Sequence, residues 1–427
     1  MTYTTGPFGS KLAGMKLKCI PADFEVEEIL SPIPEGGGYA YYRLSKCGLG
    51  TPEAIQAIHR KWNLPRGCLA FAGLKDRHAT TQQYVTIDGG PPRGFAQESF
   101  SLEYLGQVRQ PVHASQIVAN RFSVVVRDIA SHADPAQDEG TQLQKRFEQA
   151  ATVGVPNYFD QQRFGSLGKS KEWIAVPWCQ GNFERAVWLM LADANERDSA
   201  VVREEKKQIR GQWGKWGKMV RSVQDRTLAP AIRFLADSGG DFRRTLGFIR
   251  PDLRSIYLAA FQSTIWNGML DQIVAQAWPE RVLPSIFCGD RSLRLFPDQV
   301  LTAPELANTS IPLPSARLHL EENEAGAKMG ALIESVLSPY GLAMRELRVK
   351  YPRDSFFSKG ERPATFRPTE TGAQMADDDL YPGRKKLTLR FHLPRGSYAT
   401  ILVRQMLAGL ADADSLSFSA GETSEDD

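Results

Sequence analysis

The hydrophobic rhythm of this chain changes twice, and that limits its fold more than any other feature. The first third reads as strands with few helices. "KLKCIPADFEVEEIL" alternates around a Pro-Ala-Asp turn and puts Phe24, Val26 and Glu28 on one face. "YAYYRLSK", "CLAFAG" and "RFSVVVRD" (Arg121 to Asp128) are further strands. One helix interrupts them, "TPEAIQAIHRKWNL". Thr51 is placed to N-cap it, Pro52 fits its first turn, and Ile55, Ile58 and Trp62 share a face. From about Ser166 to Arg345 helical spacing takes over, clearest in "FERAVWLMLA", "SIYLAAFQSTIWNGMLDQIVAQA" and "EAGAKMGALIESVLS". A strand-rich patch, "SLRLF" to "QVLTA", lies between the last two. Alternation returns in "TFRP" and "KLTLRFHL", and a final helix, "SYATILVRQMLAGL", has Ser397 as its N-cap. Strands, a helical block, then strands again predict an α+β chain whose sheet domain is interrupted by an insertion.

At 427 residues, 42% apolar and 24% charged, the chain can fill two or three domains and a sizeable core. No run approaches the ~20 apolar residues of a membrane span. The start, "MTYTTGPFGSKLAGMKLKC", lacks the apolar stretch of a secretory signal, so a cytoplasmic protein is expected. Cys19, Cys47, Cys68, Cys179 and Cys288 are widely spaced with no C-x-x-C, which predicts reduced, mostly buried thiols rather than disulfides or zinc. Net charge is +3, but Ala411 to Asp427 holds Asp412, Asp414, Glu422, Glu425, Asp426 and Asp427 without one Lys or Arg. That polar tail is expected to be disordered. The remainder is therefore more basic than the total, as suits a polyanionic partner. No internal repeat is present, and "SPIPEGGG", "DGGPPRG" and "SHADPAQDEG" read as connectors.

The chemistry-bearing stretch is "FAGLKDRHATTQQYVTI", Phe71 to Ile87. It sets Asp76 between Lys75 and Arg77, with His78 next, just after an apolar strand that Gly73 lets turn sharply. A surface turn of alternating charges is the plain alternative. At the end of a buried strand, an ionised carboxylate kept charged by nearby cations can serve as nucleophile or base. No second carboxylate lies at fixed spacing, so a glycosidase-like pair is not indicated. Asp76 and His78 form a D-x-H half-site, but with six histidines, no H-x-x-x-H and no C-x-x-C, no metal is expected. "GSLGKS" lacks the first glycine of a phosphate loop, because Arg163 stands there. "NRF" (Asn120 to Phe122) opens a strand in which Phe122 either packs in the core or offers a ring on which a base can stack. From Arg203 to Arg226, Trp213 and Trp216 lie among lysines and arginines. This is either an RNA-tracking surface or a solvated helix ending at Gly211, with the tryptophans covering a neighbour. "PGRKK" (Pro382 to Lys386) is a weaker basic turn.

These residues resemble a known family. "FAGLKDRHATTQQ" is similar to the signature of the TruD-type tRNA pseudouridine synthases. "LKCIPADFEVEEI", "ANRFSVVVRD", "GVPNYFDQQRFG" and "FHLPRGSYATILVRQM" resemble the family's other blocks, in its order, from about residue 10 to 406. "AAFQSTIWNGML" matches more loosely. One departure is Asp160, where the family commonly has glycine. The resemblance implies that Asp76 is catalytic, that Lys18 is its basic partner, and that Asn120 and Phe122 shape the uridine pocket. It implies a pseudouridine-synthase catalytic domain with a mixed, largely antiparallel sheet. An inserted, mostly helical α/β TRUD domain would face it across an RNA cleft. With the periodicity this places the catalytic domain at 1–165 and 346–410, the insertion at 166–345 and the tail at 411–427.

The implied reaction isomerises one uridine of tRNA, position 13 in bacterial members, and needs no cofactor or metal. Lys75, Arg77, His78, Arg163, Lys215 and Lys218 are the basic groups expected to meet the RNA. A monomer is expected. Two other classes fit parts of the sequence: a non-catalytic RNA-binding or RNA-folding protein indifferent to Asp76, and a metal-dependent phosphotransfer enzyme using Asp76 and His78.

Overall fold

In the computed structural model, residues 10–408 are described apart from 13, 66, 132–137, 196–197 and 298–303. The acidic tail and the "QVLTA" strand lie outside the described residues. The chain divides into two compact units, one running to Val155 and resuming at Phe366, the other holding 156–297 and 304–365.

The first unit is built on an eleven-stranded sheet. Its strands are β1 (Ser10–Leu12), β2 (Met15–Leu17), β3 (Phe24–Leu30), β4 (Glu35–Cys47), β5 (Leu69–Phe71), β6 (Thr80–Asp88), β7 (Phe95–Gln97), β8 (Phe100–Val108), β9 (Ile117–Ile129), β10 (Thr369–Asp377) and β11 (Lys385–Pro394). The order is β1-β2-β9-β3-β6-β4-β8-β7, with β11 also on β9, β10 on β11 and β5 on β6. Among the described pairs β3–β6 is parallel and the others are antiparallel, so the sheet is mixed and largely antiparallel.

Alternation decides which face is buried. Lys46 pairs with Thr81, Thr81 with Val26, Val26 with Phe122 and Phe122 with Phe391, so one row of side chains crosses the sheet. Leu44–Gln83 and Glu28–Asn120 continue the same face two residues on. Helix α1 (Thr51–Trp62) covers one end of it, where Ala54 and Ile58 close a core with Tyr42, Leu44, Val85 and Ile87. Helix α2 (Glu139–Val153) brings Phe147 to 5.8 Å from Phe391, which stacks on Phe122 at 5.4 Å. The opposite face carries polar pairs such as Arg43–Glu103 and Arg121–Glu27.

Two caps differ from the sequence reading. Gly50 is the N-cap of α1, and Thr51 is its first helical residue. The last helix, Ala399–Leu407, follows Tyr398, not Ser397. None of the five thiols is in a disulfide, but only Cys288 is buried and Cys47 is exposed, because the other four sit at strand ends and helix rims rather than in the core.

In the second unit the long helix Pro251–Ala277 is the organising element. Asn267 exchanges hydrogen bonds with the backbone of Phe159 at 2.8 Å each way. Gln262 donates to the carbonyls of Pro314 and Ser358. These ties draw 156–165 and 346–365 to the helix, within the unit that holds 156–297 and 304–365. Helices Phe183–Leu191 and Glu324–Leu337 stand where periodicity placed them, Ala200–Gly211 is the helix that is one of two readings of its stretch, and "SLRLF" pairs with a strand the sequence reading does not include, Ser285–Cys288 against Arg291–Arg294.

The turn from β2 into β3 is fixed by charge. Arg127 of β9, fully buried, meets Asp23 at 2.8 Å and Asp378 at 2.7 Å, both buried, and Asp379 at the surface at 2.8 Å. Asp23 also accepts the Ile20 N–H. Removing one member of such a buried group strands the rest. Arg127→Met is therefore expected to destabilise the first unit by about 3–5 kcal/mol, read as an earlier urea unfolding transition.

Candidate active site

The residues Ala72 to Ala79 join β5 to β6 and cross the buried face of the sheet. A loop there must find partners for its backbone, and buried side chains supply them. Gln83 Nε2 donates to the Gly73 carbonyl at 3.0 Å. The Lys75 N–H donates to Thr51 Oγ1 at 3.0 Å, and that hydroxyl donates to Gln83 Oε1 at 2.7 Å. Lys46 Nζ donates to the Asp76 carbonyl at 2.7 Å. Thr51 thus serves the loop and not the helix end. Gly73 has no left-handed φ; a Cβ there would meet Ile117 and Glu28 at ordinary contact distance.

Asp76 is presented at the middle of this loop. Its Oδ2 accepts a hydrogen bond from Lys18 Nζ at 2.6 Å, with the two side chains 25% and 15% exposed. Lys18 follows β2 directly and has φ +56°, the left-handed region that a non-glycine residue enters at a cost of about 1–2 kcal/mol. The strain is held by the Arg127–Asp23 clamp on the same turn. Lys18 Nζ also lies 4.0 Å from the centre of the Phe24 ring, which edges against Phe122 at 6.0 Å. Burial alone would raise the Asp76 carboxyl, but the Lys18 ammonium and the His78 N–H overcome it and hold the carboxyl below the usual carboxylate range. At neutral pH Asp76 is a carboxylate.

Of the cations flanking Asp76, Lys75 is turned inward. It pairs with Glu28, whose side chain is fully buried, at 2.7 Å and donates to Asn120 Oδ1 at 3.0 Å. The other Glu28 oxygen accepts the Tyr84 N–H. Lys75 therefore braces the loop and is not open to a phosphate, because the Glu28 charge needs it. Arg77 is exposed and pairs with Glu53. His78 is exposed and contributes its backbone N–H.

Asn120 and Phe122 share a face on β9, three residues inside the strand rather than at its start, and Asn120 joins the loop through Lys75. Phe122 is only 8% exposed, with one face on Phe391, so it is an apolar wall of the core and not an open stacking platform. Arg163, Lys215 and Lys218 belong to the second unit. Arg163 donates to Ser263 Oγ at 3.3 Å. Lys215 and Lys218 line a shallow depression of about 420 Å³ with Gly214, Trp216 and Gly217. Lys206 is buried against Asp198 at 2.8 Å. Trp216 is buried and Trp213 lies on Phe242, so these tryptophans fill a local core.

Sequence reasoning missed Lys46, Thr51 as a loop ligand, Gln83 and the partnership of Glu28. A signal existed: Glu28 falls in register with Phe24 and Val26, and a charge on a strand's apolar face needs a buried partner. Among the described residues no three His, Cys, Asp or Glu side chains converge to hold a metal, and no helix is long and apolar enough to cross a membrane.

The ion pair sets a sign. The depressed Asp76 pKa stabilises the fold above the unfolded carboxylate value, near 3.9, and that gain disappears as pH falls through the folded value. In Lys18→Met the main opposition to burial is lost and only the weaker pull of His78 remains. The Asp76 carboxyl resonance, followed by NMR, is then expected to titrate at higher pH than in the wild type.

A family model described as tRNA pseudouridine synthase D (TruD) matches residues 3–406. A Methanocaldococcus jannaschii protein named "Probable tRNA pseudouridine synthase D 2" is 28% identical over 412 residues, 93% of each chain. The tRNA pseudouridine synthase D of Aquifex aeolicus is 26% identical over 406 residues, 92% of this chain and 98% of that one. In fold, the chain is similar to the crystal structure of a Methanosarcina mazei protein described as "Putative tRNA pseudouridine synthase D (TruD)", with a TM-score of 0.65 at 21% identity over 95% of this chain and 96% of that one.

Proposed function

This chain belongs to the TruD family of tRNA pseudouridine synthases, which are isomerases, and on that premise we propose that Asp76 is the carboxylate on which its reaction turns. The observation that carries this reading is the 2.6 Å contact with Lys18, which keeps Asp76 charged while a quarter of its side chain remains open to solvent. The substrate is a uridine of tRNA, and the family resemblance favours position 13.

Isomerisation breaks the C1′–N1 bond, turns the uracil and joins C5 to C1′. The proton lost from C5 is balanced by one gained at N1, so neither a redox partner nor a donor group is required. Asp76 starts the reaction by attacking the sugar or the base, or by taking a sugar proton. Lys18 steadies its charge and the charge that develops beside it. The uridine must leave its stack, at about a few kcal/mol. Asn120 and Phe122, with Phe24 beneath Lys18, form the wall against which it is held. Arg77, His78, Arg163, Lys215 and Lys218 hold the RNA backbone. Lys75 is withdrawn from that set, since it braces the loop. The protein works as a cytoplasmic monomer.

The test is incubation of bulk tRNA with purified protein, without cofactor and with a chelator, followed by mapping of carbodiimide adducts. One uridine is expected to become pseudouridine. Asp76→Asn is expected to abolish conversion while tRNA affinity changes less than about threefold. An active Asp76→Asn enzyme ends the assignment. RNA binding without conversion by the wild type favours a non-catalytic binder, and inhibition by the chelator favours metal-dependent chemistry.

A second prediction concerns phosphate contacts. Neutralising Lys215 and Lys218 together is expected to reduce the slope of log affinity against log salt by about 1–2, roughly one per phosphate contact. Lys206→Ala is expected to lower thermal stability instead, because it strips the half-buried Asp198 of its cation and leaves a gap where the buried Lys206 side chain packed.

A further inference from the structure

Lys46 is 2% exposed at the end of β4. Its ammonium donates to the carbonyl of Asp76 at 2.7 Å and reaches that of Lys75 at 3.4 Å. Among the described residues no carboxylate stands within ion-pair distance of it. Burying an ammonium on two carbonyls alone is costly, and a glutamine or a hydroxyl would satisfy a carbonyl at less expense. Gln83 does so for the Gly73 carbonyl, three residues earlier in the same loop. The charge is therefore the feature to explain, and it sits on the backbone of the residue whose aim matters most.

We propose that Lys46 is a positioning residue for the isomerisation, its ammonium fixing the Asp76 backbone and through it the direction of the carboxylate. The inference rests on the assignment of Asp76 made above. A charge-assisted hydrogen bond is roughly twice as strong as a neutral one, so the clamp is tight while Lys46 keeps its proton and slack once it loses it. Burial pushes Lys46 down to about 8. The carboxylates of Asp76 on the loop and Glu53 on α1, with the Cys47 thiol on its own strand, oppose that shift, while Lys75 adds to it. Thr81, its neighbour on β6, carries no charge. Lys46 thus gives the enzyme an alkaline limit that Asp76, whose carboxyl is held low, does not impose.

The experiment is the single-turnover conversion rate of tRNA between pH 6 and 9, with tRNA affinity measured in parallel, for wild type, Lys46→Arg, Lys46→Met and Asp76→Asn. Wild type is expected to lose up to about tenfold in rate between pH 7 and 9, the consequence of one proton leaving near 8. Lys46→Arg keeps its charge and is expected to show no such fall. Lys46→Met is expected to be at least tenfold slower at pH 7, with affinity within about threefold. A purely structural lysine would move stability without moving the pH limb. A limb unchanged in Lys46→Arg, or a Lys46→Met enzyme as fast as wild type, overturns the proposal. If neither variant folds, a wild-type rate that stays flat to pH 9 overturns it. An inactive Asp76→Asn beside a fast Lys46→Met would sink Lys46 alone; an active Asp76→Asn sinks the underlying assignment.

Discussion

The contact between Lys18 and Asp76 joins segments 58 residues apart. A partly buried ion pair gains little by itself, since desolvation offsets much of the attraction. It persists because each end is held independently. On one side Arg127 locks Asp23, and with it the turn that puts Lys18 into a left-handed conformation. On the other, three buried side chains grip the backbone of the Asp76 loop. The pair is the meeting point of two rigid supports, which is what a group needs if it is to be aimed rather than merely present.

Those supports lie on what would otherwise be a continuous apolar face. Leu44, Val26, Phe122 and Phe391 pack conventionally, yet Lys46, Gln83, Glu28 and Asn120 occupy the same side of the sheet. Each is matched: Gln83 with Gly73 and Thr51, Glu28 with Lys75 and the Tyr84 N–H, Asn120 with Lys75. A partly satisfied network of this kind would be worse than an all-apolar core. Lys46 is the exception in having carbonyls in place of a counter-charge. It is where the fold gives up stability for the placement of the loop.

The second unit follows a different logic. Its long helix Pro251–Ala277 is buried nearly all round through its middle, and its polar residues tie down chain segments on either side. The basic stretch before it separates into parts with different fates. Lys206 neutralises Asp198 indoors, the tryptophans pack on Phe242, and Lys215 and Lys218 stay at the surface. Composition made the whole stretch look alike; packing sorted it residue by residue.

From its residues alone the chain determined the alternation of strands and helices and the apolar face of α1, and singled out Asp76 as the candidate carboxylate. These are local properties: periodicity records which side of an element meets the core, and the run Lys75–Asp76–Arg77–His78 is contiguous. Tertiary structure decided the rest. It turned Lys75 inward to Glu28, gave Thr51 to the loop, placed Phe122 beneath the surface, and set Lys46 against the Asp76 carbonyl. Those partners stand 24 to 47 residues apart along the chain. Nothing in a linear string says which buried polar atoms will meet, because that depends on how strands register across a sheet.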